Sequence, residues 1–256
     1  MRIVRFVDNE GEIHYGWVYE EAQVGLLLGS PFGAYQRKEP ELPIEGLRLL
    51  APVVPGKIVC VGRNYPQHAA EQGAEVPEYP LLFLKPPSAV IGPEESIVLP
   101  PQSARVDHEA ELAVVIGKRG RWLNVEEAMS IVSGYTIAND VTARDLQEHD
   151  GQWTRAKGFD TFCPLGPWIE TDLESHGSLI QCRVNGELRQ FGTTADMVFP
   201  ISQLLAFITS IMTLEPGDVV LTGTPAGVGP LQEGDSVEIS IEGIGTLRNG
   251  VTAWKA

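Results

Sequence analysis

Basic charge is scarce in this chain: 19 Lys+Arg stand against 34 Asp+Glu, a formal net charge of −15 over 256 residues. A nucleic-acid binder needs a basic stripe to meet phosphates, and a protein held on anionic lipid needs a polybasic patch, so both classes are excluded. Cysteine is scarce as well. Cys60, Cys163 and Cys182 are odd in number, and no pair has the spacing of a zinc or redox motif. They read as free thiols in a reducing cytoplasm. The longest apolar helical run, residues 201–212, falls short of the ~20 residues that span a bilayer. The opening MRIVRFVDNEGE carries charge where a signal peptide needs an apolar stretch. The expectation is a cytoplasmic protein with no membrane and no nucleic-acid partner. Three nucleotide and nucleophile signatures are also missing: the G-K-[ST] phosphate loop, G-x-G-x-x-G, and the G-x-S-x-G elbow.

Glycine (27) and proline (19) are plentiful, but together stay below the roughly 25–30% that marks low complexity. With 43% hydrophobic and 21% charged residues, the chain is long enough to bury a real core. Two units are expected, a small N-terminal β subdomain over residues 1–50 and a main body over 51–256. RIVRFVD, DNEGE and IHYGWVY read as a hairpin. Residues 36–47 are polar and Pro-rich and read as a linker. The body is dominated by short β-rich runs bounded by Gly or Pro, namely KIVCVG, LLFLKPP, AELAVVIG, DVVLTG and SVEISIEG. Asn124 with Glu127 predicts a capping box. Ile201, Leu204, Leu205, Ile208, Ile211 and Met212 predict one amphipathic helix, and residues 142–149 a third, short one.

The most informative local pattern is Asp107-His-Glu109-Ala-Glu111 ahead of LAVVIG. In a strand, positions i and i+2 share a face, so Glu109 and Glu111 point the same way. The strand continues apolar on both faces, as a buried strand does. Carboxylates at its mouth need neutralisation or they repel and take up protons. Asp140 ends a second buried run, GYTIAN, and can complete a site. Three carboxylates without His or Cys favour a hard cation, Mg²⁺ or Mn²⁺, with Ca²⁺ behind them and Zn²⁺ disfavoured. Asp107 lies nearer the strand's start and is read as supporting the site or solvated.

Between two strands, RNYPQHAAEQG places His68 and Glu71 three apart, on one helical turn. A carboxylate there orients the imidazole as a base. The surrounding prolines and Gly73 give this excursion the look of a lid. Lys85 and Lys157 stand beside apolar runs and are equally well read as surface lysines. The turn TGTPAGVG, residues 222–229, can offer backbone N–H groups and the Thr224 hydroxyl to an anion if a site lies beside it.

These pieces, in this order, resemble the fumarylacetoacetate hydrolase family. The resemblance runs from about residue 57 to 251. It is carried by VGRNYPQHAAE, LFLKPPSAVIG, DHEAELAVVIG, GYTIANDVTARDLQ, WTRAKGFDTFCPLGPW, VNGELRQ and LEPGDVVLTGTPAGVGPL. It is greatest to short members acting on acylpyruvates and oxaloacetate, and to isomerase/decarboxylases of the homoprotocatechuate pathway of aromatic catabolism. It implies an α+β, mostly β fold, a mixed β roll or sandwich with a few flanking helices, and a homodimer. It implies Mg²⁺ or Mn²⁺ held by Glu109, Glu111 and Asp140, and a water-activating dyad of His68 and Glu71. Lys157 falls beside the metal, and Arg144, Gln147, Thr224 and Lys85 fall at positions that shape the substrate site. The implied substrate is a small anionic 2-oxo acid, cleaved hydrolytically through an enolate. Oxaloacetate-type decarboxylation and isomerisation of 2-hydroxyhepta-2,4-diene-1,7-dioate are alternatives at the same site, and a non-catalytic binding module is a remote one.

Overall fold

Alternating apolar residues and the DNEGE turn make β1 (Arg2–Val7) and β2 (Ile13–Tyr19) an antiparallel hairpin, with Arg2 opposite Val18 and Val7 opposite Ile13. The computed structural model describes residues 1–20 and 22–255. β3 (Gln23–Gly29) and β4 (Tyr35–Pro43) extend the hairpin into a meander. The expected linker over 36–47 is therefore mostly strand, followed by a 3₁₀ turn at Ile44–Gly46. Its prolines fit because β4 is the outermost strand, where a missing N–H removes no ladder bond. Register shifts along β3 absorb the irregularity. β5 (Arg48–Leu50) returns to β1.

Beyond residue 57 the apolar runs become buried strands. In order they are β6 (Ile58–Gly62), β7 (Leu81–Lys85), β8 (Val90–Ile91), β9 (Ile97–Leu99), β10 (Val106–His108), β11 (Ala110–Ile116) and β12 (Val132–Asn139). They continue with β13 (Thr142–Ala143), β14 (Cys163–Glu170), β15 (Leu179–Val184), β16 (Glu187–Thr193), β17 (Val219–Leu221), β18 (Gly229–Pro230), β19 (Ser236–Ile241) and β20 (Gly245–Ala253). A twelve-stranded sheet runs β4-β3-β2-β1-β14-β12-β11-β17-β6-β7, with β5 and β8 as side branches. β1 pairs with β14, so the N-terminal meander is fused edgewise to the main sheet. A five-stranded sheet, β16-β15-β19-β20-β9, forms a second layer, and β13-β10-β18 is a small third sheet. Most pairs are antiparallel, while β17·β6, β14·β8 and β20·β9 are parallel, so the architecture is the mixed, mostly β fold expected.

Helices are few: α1 (Pro66–Glu71), α2 (Val125–Ala128), α3 (Arg144–Asp150), α4 (Thr154–Lys157) and α5 (Ile201–Ile211). The Asn124/Glu127 capping box forms at α2. α5 buries Ile201, Leu204, Leu205 and Ile208. The helix expected over 142–149 starts two residues late, because Thr142 and Ala143 pair with β10. Among the described residues, no helix is long and apolar enough to cross a membrane.

β11 explains where the site sits. Its Leu112, Val114 and Ile116 enter one apolar cluster with α5 and the second sheet, while Ala113 and Val115 enter another with β6 and β14. The strand is buried along its whole length. Polar side chains are tolerated only where it begins, and there they need partners.

Candidate active site

Antiparallel pairing carries the acids together. Ala110 faces Asn139 and Glu111 faces Ala138, so the start of β11 lies beside the end of β12. The Asn139 side-chain oxygen accepts from the Glu109 N–H at 2.9 Å, and the Asp140 N–H donates to the Glu109 carbonyl at 2.8 Å. Carboxylate oxygens of Glu109, Glu111 and Asp140 come within 4.8 Å of one another, and all three residues are buried. The three residues expected to hold a metal thus form one cluster.

Both lysines read as possible surface groups are inside. Lys157 is 2% exposed, and its Nζ donates to Glu109 Oε2 at 2.7 Å and Asp140 Oδ2 at 2.6 Å. Lys85 is 1% exposed, and its Nζ donates to Asp140 Oδ1 at 2.6 Å. Arg144 reaches Glu109 Oε1 at 2.6 Å, Asp107 Oδ2 at 2.9 Å and Gln147 Oε1 at 2.7 Å. Asp107 is not solvated: it is fully buried and also receives Arg105 at 3.0 and 3.2 Å. Four carboxylates therefore face four cationic side chains.

The balance is uneven within the cluster. Burial by itself raises the Glu109 carboxyl, but Lys157 and Arg144 hold it well below the ordinary carboxylate range. Glu111 goes the other way. Burial, then the charges of Asp140 and Glu109, push its carboxyl well above the ordinary value. Among the described residues it has no ion-pair partner, only the Gly223 N–H at 2.7 Å. Lys157 stays protonated: burial opposes its charge, but Asp140 and Glu109 outweigh that and raise it.

α1 lies between β6 and β7, opposite the carboxylates. Pro66 starts it, which suits a first helical position. His68 is buried, and its Nδ1 is 3.3 Å from Glu71 Oε2. Glu71 in turn accepts from the Gly227 N–H at 3.1 Å, tying α1 to the Gly-rich turn. The Gln72 amide nitrogen stands 3.1 Å from His68 Nε2. Nδ1 must carry the proton to meet a carboxylate, so Nε2 is the bare nitrogen that accepts from Gln72. His68, Glu109, Glu111, Asp140, Lys157 and Thr224 line one narrow recess. It adjoins an open cleft of about 790 Å³, into which Arg63, Arg105, Arg144 and Gln147 project. Three guanidinium groups and the carboxylates of Glu71, Asp107 and Glu148 share this cleft, so its lining is balanced where the whole chain is acidic.

Every site residue expected from the sequence thus lies at this recess or one hydrogen bond from it. Several contributors were not expected: Arg105, Gln72, Asn139 and Gln190. Arg105 stands just before β10, two residues from Asp107, and was findable on that spacing. Gln190, in β16, is distant in sequence and no spacing rule points to it.

The profile of the family described as Fumarylacetoacetate (FAA) hydrolase C-terminal matches residues 57–252. The chain belongs to the fumarylacetoacetate hydrolase family. It is an enzyme of that family, and residues 1–52 match a second profile, Rv2993c-like, N-terminal. Mitochondrial oxaloacetate tautomerase FAHD2B of Bos taurus is 48% identical over 225 residues, 83% of this chain and 72% of that one. The structure of a 5-carboxymethyl-2-hydroxymuconate delta-isomerase from Mycobacterium smegmatis superposes with a TM-score of 0.92 at 44% identity, covering 99% of this chain and 100% of that one. A fumarylacetoacetate hydrolase from Exiguobacterium antarcticum superposes with a TM-score of 0.85 at 37% identity, again over 99% and 100%. Family members are thus named for tautomerase, isomerase and hydrolase activities on one fold.

Proposed function

We propose that this enzyme hydrolyses a C–C bond in a small acylpyruvate, R–CO–CH₂–CO–COO⁻, using Mg²⁺ or Mn²⁺ held by Glu109, Glu111 and Asp140. The observation that carries this reading is the convergence of three buried carboxylates, Lys157 and a His–Glu pair on one recess. An all-oxygen donor set fits a hard cation. Glu111, buried without a cationic partner among the described residues, is the group that such a cation would neutralise. When bound, the cation supplies Lewis-acid charge against the 2-oxo group and the developing enolate.

The side chains of the chain do the rest. With the Gln72 amide giving up its place at Nε2 to water, His68, oriented by Glu71, takes a proton from that water through Nε2 as the water oxygen bonds to the distal carbonyl carbon. The bond from that carbon to CH₂ then breaks, and its electron pair leaves as the enolate of pyruvate. Lys157 offsets the charge that builds up there. His68 returns its proton to the CH₂ carbon, giving pyruvate and a carboxylic acid. The open cleft gives the substrate its way in, with Arg63 and Arg144 beside the path.

A second reading is favoured by the names of two relatives, an oxaloacetate tautomerase and a delta-isomerase. Here His68 only moves a proton to or from the enolate, and no water is consumed. Loss of CO₂ from oxaloacetate leads to the same enolate. Assays on acetylpyruvate, oxaloacetate and 2-hydroxyhepta-2,4-diene-1,7-dioate, each with Mg²⁺ and with EDTA, test both. Metal-dependent release of pyruvate and acetate supports hydrolysis. Proton shifts or CO₂ loss without cleavage of acetylpyruvate select the second reading. Inactivity on all three, with or without metal, leaves a binding module.

A further inference from the structure

Strand β16 is an edge strand, and its residues 187–189 and 191 are exposed, yet Gln190 between them is fully buried. A buried primary amide is costly unless both lone pairs and both hydrogens are used. Here all four are. Gln190 Oε1 accepts from the Ala110 N–H at 3.0 Å and lies 2.9 Å from His108 Nδ1. Its Nε2 donates to Thr224 Oγ1 at 2.7 Å and to the Pro225 carbonyl at 2.8 Å. The amide has one permitted orientation, because Ala110 N–H can only donate and the Pro225 carbonyl can only accept. His108 must therefore donate from Nδ1.

The orientation has a consequence for Thr224. Its oxygen accepts from Gln190, so its single hydrogen goes to the Ala110 carbonyl at 2.9 Å. Thr224 lines the recess of the three carboxylates. The turn that carries it also gives the Gly223 N–H to Glu111 and the Gly227 N–H to Glu71. Gln190 thus bolts this turn to the start of β11 from behind, out of a sheet none of whose described residues lines the recess. An apolar residue would fill the same volume without needing four partners.

We propose that Gln190 is a positioning residue: by bonding the Thr224 hydroxyl and the Pro225 carbonyl it fixes the Thr224 turn, and so the backbone that this turn presents to the recess, for the head of the 2-oxo acid. This deepens the function proposed above and rests on it. The test uses oxalate, a planar dianion shaped like the pyruvate enolate, titrated calorimetrically into the Mg²⁺-loaded protein. Gln190→Met removes all four bonds. Gln190→Glu keeps the acceptors facing Ala110 and His108 but loses both donors toward Thr224 and Pro225. Each variant is expected to weaken oxalate about tenfold, the scale of one mis-set hydrogen bond to a charged ligand, with Mg²⁺ affinity unchanged. Thr224→Val is expected to weaken it similarly, and Gln190→Met with Thr224→Val to be no worse than either alone.

If wild type binds oxalate and Thr224→Val weakens it but neither Gln190 variant does, the positioning role is wrong while the proposed function stands. Additive losses in the double variant overturn the route through Thr224, and so does a Thr224→Val protein that binds as wild type. Wild type that ignores oxalate in the presence of Mg²⁺ removes the proposed function and this inference together. Should Gln190→Met fail to fold, Gln190→Glu decides alone.

Discussion

Glu111→Gln separates a metal site from an ordinary ion-pair cluster, because it is expected to move stability in opposite directions with and without metal. Glutamine keeps the volume and can still accept the Gly223 N–H, so the substitution removes little but charge. In the metal-free protein that charge is unfavourable, since burial and the neighbouring Asp140 and Glu109 raise the Glu111 carboxyl well above its ordinary 4.5. A raised carboxyl means that the folded chain holds the proton more tightly than the unfolded one. Its contribution to stability is fully present below the unfolded value and is lost as pH rises through the folded value. Metal-free wild type is thus expected to lose stability through this group as pH rises above 4.5, and Glu111→Gln to escape that loss. With metal the order reverses. A cation at a hundredfold excess over its Kd stabilises the wild type by about 2.7 kcal/mol. At roughly 2–4 °C per kcal/mol for a chain of this size, Tm rises about 5–11 °C. Scanning fluorimetry at pH 6 and pH 8, with EDTA and with Mg²⁺, reads all four states. The expected result is a metal-free Tm at pH 8 that is no lower in Glu111→Gln than in wild type, with the Mg²⁺ shift abolished. A variant several degrees less stable without metal that keeps the full Mg²⁺ shift would refute the reasoning.

Four further outcomes are expected. His68→Ala should lower hydrolysis about 10²–10⁴-fold, the usual worth of a positioned base, while the Mg²⁺-induced Tm shift persists; full activity would remove the dyad from the mechanism. Lys157→Met strips a cation from buried Glu109 and Asp140, so metal-free unfolding by urea should show a loss of about 3–5 kcal/mol, partly restored by Mg²⁺. Burial pushes the Cys163 and Cys182 thiols up to about 12 and Cys60 well above its ordinary value, so a disulfide-exchange reagent at pH 8 should leave all three unlabelled until denaturant is added. Raising ionic strength should not depress kcat/KM, since the net charge of −15 repels an anionic substrate and salt screens it; a steep fall would contradict that picture.

Much of the site was legible in the sequence because strand geometry is local. The i, i+2 rule places Glu109 and Glu111 on one face, and helical spacing places His68 beside Glu71. The apolar continuation of β11 announced that its opening acids would be buried. Legibility failed wherever a side chain's meaning depended on a distant partner. Lys85 and Lys157 read equally well as surface lysines, since nothing within a few residues shows that each reaches Asp140. Asp107 read as supporting the site or as solvated, and the sequence could not choose because its partner Arg144 is 37 residues away. Residues 36–47 looked like a linker because polar, proline-bearing composition describes an edge strand equally well.

Composition and short-range periodicity by themselves determined the strand-rich class, the excess acidity, and the carboxylates suited to a hard cation. All three follow from residue chemistry and the two-residue repeat of a strand, which need no knowledge of the rest of the chain. Only the tertiary structure decided the charge of the site. Antiparallel pairing of β11 with β12 brings Asp140 to Glu109 and Glu111, and α4, β7 and α3 deliver Lys157, Lys85 and Arg144 to them. Whether a buried carboxylate is ionised, paired or waiting for a cation is a property of what surrounds it within a few ångströms, and that shell is assembled from across the fold.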